Sequence, residues 1–277
     1  MNIEPLERSF GARITGIDLP QLDDADFKAV YEAWLQYALL VFPDQFLSRE
    51  SQVAFARRFG NLEFDYAPIS NLTRDGELRA DDDVVKILKG NMDWHCDSTY
   101  MPVMAKGAVF SAHVVPPSGG ETSWADMRTA FDVLPLMQQN ELENLSAHHS
   151  LRHSQGKLGH SHSDDSQYSG YGFHDGEAPL RGLVKKHSET GRKSLLIGRH
   201  AYDIPGKSSE DSRLLLQNLV DQACRDDRIY NHQWSKGEVV VWDNRCLLHR
   251  ANPWDMSVPR VMYHSRIAGD ENSEAIR

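Results

Sequence analysis

Trp94-His95-Cys96-Asp97-Ser98-Thr99-Tyr100 is the stretch whose reading decides the fold. It carries His-x-Asp, two metal-ligating residue types one residue apart. In an extended strand, residues i and i+2 point to the same face. The His95 imidazole and the Asp97 carboxylate would therefore converge on one point. A third ligand is needed, and the candidate is His249, in Val239-Val240-Val241-Trp242-Asp243-Asn244-Arg245-Cys246-Leu247-Leu248-His249-Arg250. Two histidines and one carboxylate on one face of a metal leave the opposite positions open, the facial arrangement of non-haem Fe(II) sites. Taken alone, His-x-Asp is short and common, and it reads equally well as a hydrogen-bonded pair beside a strand. The rest of the chain has to decide between the two.

The chain has 277 residues, 40% of them hydrophobic and 25% charged, which suits one sizeable core in a β sandwich or barrel. The formal charge of -10 argues against a nucleic-acid or other polyanionic partner. The three cysteines, Cys96, Cys224 and Cys246, are scattered, so neither a disulfide framework nor a CxxC zinc site is expected. Met1-Asn2-Ile3-Glu4 opens no apolar run, so no secretory signal is expected, and no window reads as a membrane span. A reducing cytoplasm is the expected compartment. Self-association is open on these grounds.

Working outward, residues 11–18 read as a short strand and 23–40 as a helix capped by Asp23 or Asp24, with Phe27, Val30, Tyr31, Trp34 and Leu35 at helical spacing. Leu39-Leu40-Val41-Phe42 reads as a buried strand, and a second helix follows Ser48. Residues 61–83 are polar and are expected to form a loop region that leads into a strand over 84–88; the run Asp81-Asp82-Asp83 reads as a solvated face. A strand is expected over 108–115 and helices over 127–134 and 136–145. Ser118-Gly119-Gly120 reads as a turn rather than a phosphate loop, since no Gly-Lys-Ser/Thr follows. Residues 148–176 hold His148, His149, His153, His160, His162 and His174, without zinc-finger spacing, and are expected to be a surface loop or lid. A strand over 193–198 and an amphipathic helix over 208–223, with Leu214, Leu215, Leu219 and Val220 inward, come next. Strands 229–234 and 238–242 are expected to pair as a hairpin around Lys236-Gly237, and a last strand covers 260–267. Many short strands with helices mostly at the front predict a β sandwich with helical decoration, and neither a repeat nor a linker divides residues 1–277.

Several pieces then fall into one order: Val41-Phe42-Pro43-Asp44-Gln45, Phe55-Ala56-Arg57-Arg58-Phe59-Gly60, the opening motif, Pro116-Pro117-Ser118-Gly119-Gly120-Glu121-Thr122, Asp126-Met127-Arg128-Thr129-Ala130, Gly191-Arg192-Lys193-Ser194-Leu195, the stretch through His249, and Arg260 eleven residues after it. Together they resemble the taurine and 2,4-dichlorophenoxyacetate dioxygenase family, Fe(II)- and 2-oxoglutarate-dependent enzymes, and most closely its phenoxyacetate branch. The resemblance runs over nearly the whole chain. It implies a double-stranded β-helix (jelly roll) that forms a single dioxygenase domain over 1–277. It implies Fe(II) held by His95, Asp97 and His249, and 2-oxoglutarate held at its distal carboxylate by Arg260 and Thr122. It further implies O2 as oxidant and oxidation of a small organic acid, with release of succinate and CO2. A planar guanidinium suits the carboxylate role better than lysine does.

The sequence departs from the family at one place. Four residues beyond the first arginine, where related enzymes often carry a second arginine for the substrate anion, this chain has His264. Alternation puts Arg260, Met262, His264 and Arg266 on one face of the last strand. Asn91 matches a position that faces the substrate in the taurine branch. Asn91, His264 and Arg266 are therefore the candidate substrate contacts, and a substrate other than taurine or 2,4-dichlorophenoxyacetate is expected. Trp94 and Trp242 read as core aromatics. Two other classes compete. A zinc hydrolase would use the same three ligands but leaves Arg260 and Thr122 unexplained. A non-catalytic binding jelly roll should have lost a ligand, and none is lost.

Overall fold

A computed structural model describes residues 1–157, 172 and 176–276. The described chain opens with β1 (Asn2–Pro5), β2 (Ala12–Thr15), α1 (Asp24–Tyr37), β3 (Leu39–Phe42), α2 (Arg49–Arg57), β4 (Leu62–Ser70) and α3 (Asp83–Gly90). Next come β5 (Gly107–Val114), β6 (Thr122–Asp126), α4 (Met127–Asp132), α5 (Leu136–Leu142), β7 (Ser146–His149) and α6 (Leu151–Gly156). It closes with β8 (Leu180–Gly182), β9 (Val184–Lys186), β10 (Lys193–Leu195), β11 (Ala201–Tyr202), α7 (Ser209–Ala223), β12 (Ile229–His232), β13 (Val239–Asp243), β14 (Leu247–Ala251) and β15 (Val261–Ile267).

A seven-stranded sheet in the order β1-β2-β3-β13-β5-β15-β4 faces a three-stranded sheet in the order β12-β6-β14. This is the double-stranded β-helix. The residues alternate as a two-sided sheet requires. Leu40, Phe42, Val109, Val239 and Val241 pack outward against Trp34 of α1 and Phe55 of α2. Leu39, Val41, Phe110, Val240, Trp242 and Met262 point between the sheets, with Trp124 and Leu247 from the smaller sheet. A third cluster lies behind the smaller sheet, where Leu248 and Ala125 meet Met127, Phe131 and the buried face of α7.

Four local expectations are corrected. Residues 61–83 are loop only from 71 to 82, because Leu62–Ser70 form β4 against β15. Pro68 obscures this strand in sequence; β4 is the sheet's last strand, where a missing N–H is tolerated. The expected strand over 84–88 is the helix α3. Asp82 caps it by accepting the Val85 N–H, so the acidic run starts a helix. The β-branched residues favour strand by propensity, but Val84, Val85 and Leu88 fall on one helical face and are buried. Strands β12 and β13 do not form a hairpin. The former pairs with β6 and the latter with β3 and β5, so the Lys236-Gly237 turn passes from one sheet to the other. Helix α7 buries Ser212, Leu216, Leu219 and Ala223 and leaves Leu214 exposed. Its face is turned so that the Ser212 hydroxyl accepts the Ile204 N–H at 3.0 Å.

Within the 148–176 stretch, His148 and His149 belong to β7 and His153 to α6. The rest of that expected loop or lid, including His160, His162 and His174, lies outside the described residues. No helix among the described residues is long and apolar enough to cross a membrane.

Candidate active site

The opening motif is held by a single antiparallel bridge, His95 with His249. The His95 N–H donates to the His249 carbonyl at 3.0 Å, and the His95 carbonyl accepts the His249 N–H at 2.9 Å. Directly opposed residues put their side chains on the same face, and the two rings lie 4.2 Å apart between centroids. Three residues beyond this bridge the backbone turns away, with Ser98 at φ 57°. There the Asn244 side chain substitutes for a neighbouring strand. Its Oδ1 accepts the Asp97 N–H at 2.8 Å and its Nδ2 donates to the Asp97 carbonyl at 2.9 Å. His95, Asp97 and His249 thus bring one ligand atom each within 4.8 Å of one another, all buried.

The donor chemistry fits a divalent metal. His95 Nδ1 lies 2.7 Å from the Asp93 carbonyl, which only accepts, so Nδ1 carries the ring proton and Nε2 offers its lone pair. Burial pulls both histidines below the ordinary range, His249 far below, so both rings are neutral. Their 3.7 Å approach to Asp97 at His249 is therefore not an ion pair. Burial pushes the Asp97 carboxyl upward, yet the Arg266 guanidinium holds it well below the usual carboxylate range. Asp97 Oδ2 is buried without a hydrogen-bond partner among the described residues. A buried carboxylate oxygen left unpaired is costly, and a cation at this point removes the cost.

Arg260 and Thr122 meet at the same cavity. Arg260 is 2% exposed. Among the described residues no carboxylate pairs with it; its Nε donates to the Gly120 carbonyl at 3.1 Å and its guanidinium lies over Trp254 at 5.1 Å. Burial lowers it to about 10, against the pull of Glu121, so the charge persists at neutral pH. Gly120 makes room for it: at φ +71°, an added Cβ would sit 3.0 Å from Arg260 Nε. Thr122, on β6, accepts the Trp234 indole N–H at 3.0 Å, which leaves its own hydroxyl proton to be donated. A buried cation beside a free hydroxyl proton is a receptor for a carboxylate.

The cavity has a volume of about 280 Å³ and mixes these groups with Phe64, Ile69, Leu88, Phe110 and Leu151. Asn91 lines it from the end of α3, where its carbonyl accepts the Ala251 N–H at 2.8 Å. His264 also lines it, stacked on Trp242 at 5.6 Å and edge-on to Phe64 and Phe110. Burial, reinforced by Arg266, pulls His264 down to about 3. It therefore brings no charge to an anion. Arg266 reaches the cavity wall, but its Nη2 donates to Asp97 Oδ1 at 2.8 Å. Trp94 is buried in the core cluster behind the smaller sheet, as expected. Trp242, expected in the core, also walls the cavity, 4.9 Å from the His249 ring.

Sequence reasoning missed Arg199 and His200, which also line the cavity. They follow Gly198, whose φ is +119° and whose added Cβ would lie 2.9 Å from the Trp94 carbonyl. The Arg199 N–H donates to that carbonyl at 2.8 Å, so the turn is fastened to the ligand-bearing segment. A glycine directly before two basic residues is the signal that could have found them. Arg199 Nη1 donates to the Gly90 carbonyl, while Nε and Nη2 are buried without hydrogen-bond partners among the described residues. His200 meets the Ser154 hydroxyl at 2.8 Å through Nδ1, and its ring lies edge-on to His95 at 6.0 Å.

A jelly roll with a His-Asp-His cluster beside a buried, carboxylate-seeking arginine defines a metal-dependent oxygenase that takes a keto-acid cosubstrate. The chain belongs to the taurine catabolism dioxygenase TauD, TfdA family, whose model matches residues 2–266. It is 61% identical over 277 residues to the (S)-phenoxypropionate/alpha-ketoglutarate-dioxygenase of Sphingobium herbicidovorans, covering 99% of this chain and 96% of that one. The alpha-ketoglutarate-dependent 2,4-dichlorophenoxyacetate dioxygenase of Cupriavidus pinatubonensis is 36% identical over 285 residues, covering 96% and 97%. The crystal structure of AAD-2 in complex with Mn(II) and N-oxalylglycine superposes with a TM-score of 0.90 at 36% identity, covering 100% of this chain and 98% of that one. This protein is accordingly an Fe(II)- and 2-oxoglutarate-dependent dioxygenase using O2, on the phenoxyacetate side of the family. The zinc-hydrolase and binding-only readings fall away.

Proposed function

We propose that the protein oxidises a small carboxylic acid that carries an aromatic ring, of the 2-aryloxyalkanoate kind, with Arg199 taking its carboxylate. The observation that carries this reading is Arg199 itself: two guanidinium nitrogens buried without partners among the described residues, on the wall of a cavity that also presents Phe64, Ile69, Leu88, Phe110 and Leu151. The names of the relatives, phenoxypropionate and 2,4-dichlorophenoxyacetate dioxygenases, point to the same chemical class. His264 is neutral and Arg266 is engaged by Asp97, so neither supplies the missing anion-binding charge, and taurine lacks the ring that the cavity walls would cover. Asn91, beside Leu88 on the same wall, contacts the substrate's polar end. The family model's span supports treating the chain as one domain. The free cysteines suit a reducing cytoplasm.

In this reading His95, Asp97 and His249 hold the iron, and Arg260 with the Thr122 hydroxyl fixes the distal carboxylate of 2-oxoglutarate. Bound there, iron with its cosubstrate and O2 supplies the oxidation, and the cosubstrate leaves as succinate and CO2. The protein's part is placement. Arg199 and Arg260 each set one anion in the shared cavity, His95 Nδ1 keeps its proton on Asp93, and the aromatic walls exclude water from the reacting centre. The test is substrate-dependent succinate release across (S)- and (R)-2-aryloxypropionates, aryloxyacetates, alkyl carboxylates and taurine, with wild type and Arg199→Ala. The expected result is turnover of aryloxy acids by the wild type. Removing one partner of a buried charge pair costs about 2–5 kcal/mol, so Arg199→Ala should raise the KM for these acids at least tenfold. Preference for taurine, or an unchanged KM in the variant, overturns the reading.

A further inference from the structure

We propose that Arg266 is a positioning residue that makes Asp97 a one-oxygen ligand, reserving the neighbouring metal position for the cosubstrate. The inference rests on the iron site proposed above and gives Arg266 a different task from reading the substrate. Its Nη2 donates to Asp97 Oδ1 at 2.8 Å and its Nη1 to the Ser98 hydroxyl at 3.2 Å. That hydroxyl in turn donates to Glu63 Oε2 at 2.9 Å, and the guanidinium lies over the Phe64 ring at 4.7 Å. The fork is thereby held from three sides. Its aim comes from the backbone. β15 pairs with β5 in unbroken register from Met262 to Ile267, so alternation carries Arg266 to the cavity face that His264 shares.

The two carboxylate oxygens of Asp97 consequently differ. Oδ1 is occupied by Arg266, whereas Oδ2 is buried without a hydrogen-bond partner among the described residues and faces His249 Nε2 at 3.7 Å. The Asn244 side chain fixes the Asp97 backbone, so the carboxylate's remaining freedom is rotation about its own side-chain bonds. Arg266 removes that freedom. Without it, a carboxylate can turn both oxygens to a metal and fill a position that a chelating keto acid needs. A cation this near a divalent metal also repels it, so the two effects open to Arg266 on metal affinity have opposite signs. Orientation predicts weaker metal binding when Arg266 is lost; bare repulsion predicts tighter binding.

The experiment titrates Fe(II) anaerobically into wild type, Arg266→Met and Arg266→Lys by calorimetry. It then adds 2-oxoglutarate and records the visible charge-transfer band of the chelated cosubstrate. Thermal melting of each metal-free protein checks the fold. Losing a hydrogen-bond partner of a metal ligand typically weakens metal binding about 10- to 100-fold. Arg266→Met should show that loss, together with a diminished band at saturating Fe(II). Arg266→Lys, with a single donor point in place of a fork, should fall between it and the wild type. If Arg266→Met does not fold, weaker Fe(II) binding by Arg266→Lys supports the role in its place. Fe(II) binding equal to or tighter than wild type with an intact band, in whichever variant folds, overturns the role of Arg266 and leaves the iron site standing. A wild type that gives neither Fe(II) binding nor a band overturns the iron site and this role together.

Discussion

Replacing Arg260 by alanine is the sharpest test of the cosubstrate pocket. The side chain is buried, and its hydrogen bond among the described residues runs from Nε to the Gly120 carbonyl, so the terminal nitrogens are left for a ligand. Truncating one partner of a buried, hydrogen-bonded charge pair costs about 2–5 kcal/mol. The lower half of that range applies here. The alanine variant opens a space beside a cavity of about 280 Å³ that water can enter, and the Thr122 hydroxyl remains to donate one bond. A loss of about 2–3 kcal/mol corresponds to a roughly 30- to 150-fold weaker Kd for 2-oxoglutarate. Anaerobic calorimetry of 2-oxoglutarate binding to the Fe(II)-loaded protein measures it directly. The pH dependence gives a second check. Burial lowers the Arg260 guanidinium to about 10, so its charge is present at neutral pH and is lost as pH rises through about 10. Wild-type affinity should therefore be insensitive to Arg260 through neutral pH and decline above about pH 9.5. A change in Kd of less than about threefold in Arg260→Ala would refute the argument, because the fork would then not be holding the carboxylate.

Alanine at His95, Asp97 or His249 should abolish succinate formation while preserving the melting transition of the metal-free protein; turnover near wild type under metal-limited conditions in any of the three would refute the ligand set. His264→Arg should not confer taurine turnover and should lower the melting temperature. It forces a second guanidinium between Trp242, Phe64 and Phe110 beside Arg266, at an overpacking cost of about 1–3 kcal/mol; a stable, taurine-active variant would show that His264 is the determinant after all. His149 is buried with neither ring nitrogen paired among the described residues, and burial pulls it down to about 3. Its unfolded value is about 6.5, so between the two the unfolded state binds a proton that the folded state does not, and stability falls as pH falls through that window. His149→Gln should flatten the fall in melting temperature between about pH 6.5 and pH 4.5, and an unchanged slope would exclude it as a contributor.

The parts of the fold legible in sequence were those set by short-range pattern. The strand Leu39–Phe42 is a continuous apolar run, and Ser48 and Asp23 cap their helices by accepting N–H groups three residues on. Pairing was less legible. Lys236-Gly237 has the chemistry of a hairpin turn, yet the strands on either side join different sheets, because burial of Val240 and Trp242 between the sheets outweighs local turn preference. Pro68 and the β-branched run of α3 misled for the same reason: tertiary position overrode propensity. At the candidate site, His95, Asp97 and His249 could be read as a ligand set from their residue types, and Thr122 and Arg260 came from the family resemblance; the fold brings all five to one cavity. Arg199 left only the weak signal of Gly198 before two basic residues, since its place on the cavity wall depends on that turn packing against Trp94. Alternation puts Arg266 on the cavity face, but its engagement by Asp97 joins residues 169 apart in the chain and is visible only in the fold.

The lone bridge between His95 and His249 has a consequence for folding order. The same neighbourhood is tied by Asn244 to Asp97 across 147 residues of chain. Contacts of such sequence separation are entropically expensive to close and form late. If iron sits on His95, Asp97 and His249 as proposed, a nascent chain that has made the first two still lacks the site until β14 has emerged and docked. Iron would then bind the native state alone and stabilise it by mass action, more strongly as the free metal rises above its Kd. The metal would act as a clasp between the early and late parts of the chain. Its removal should be felt first as faster opening of the 94–100 segment, which hydrogen exchange at the His95 and His249 amides would register.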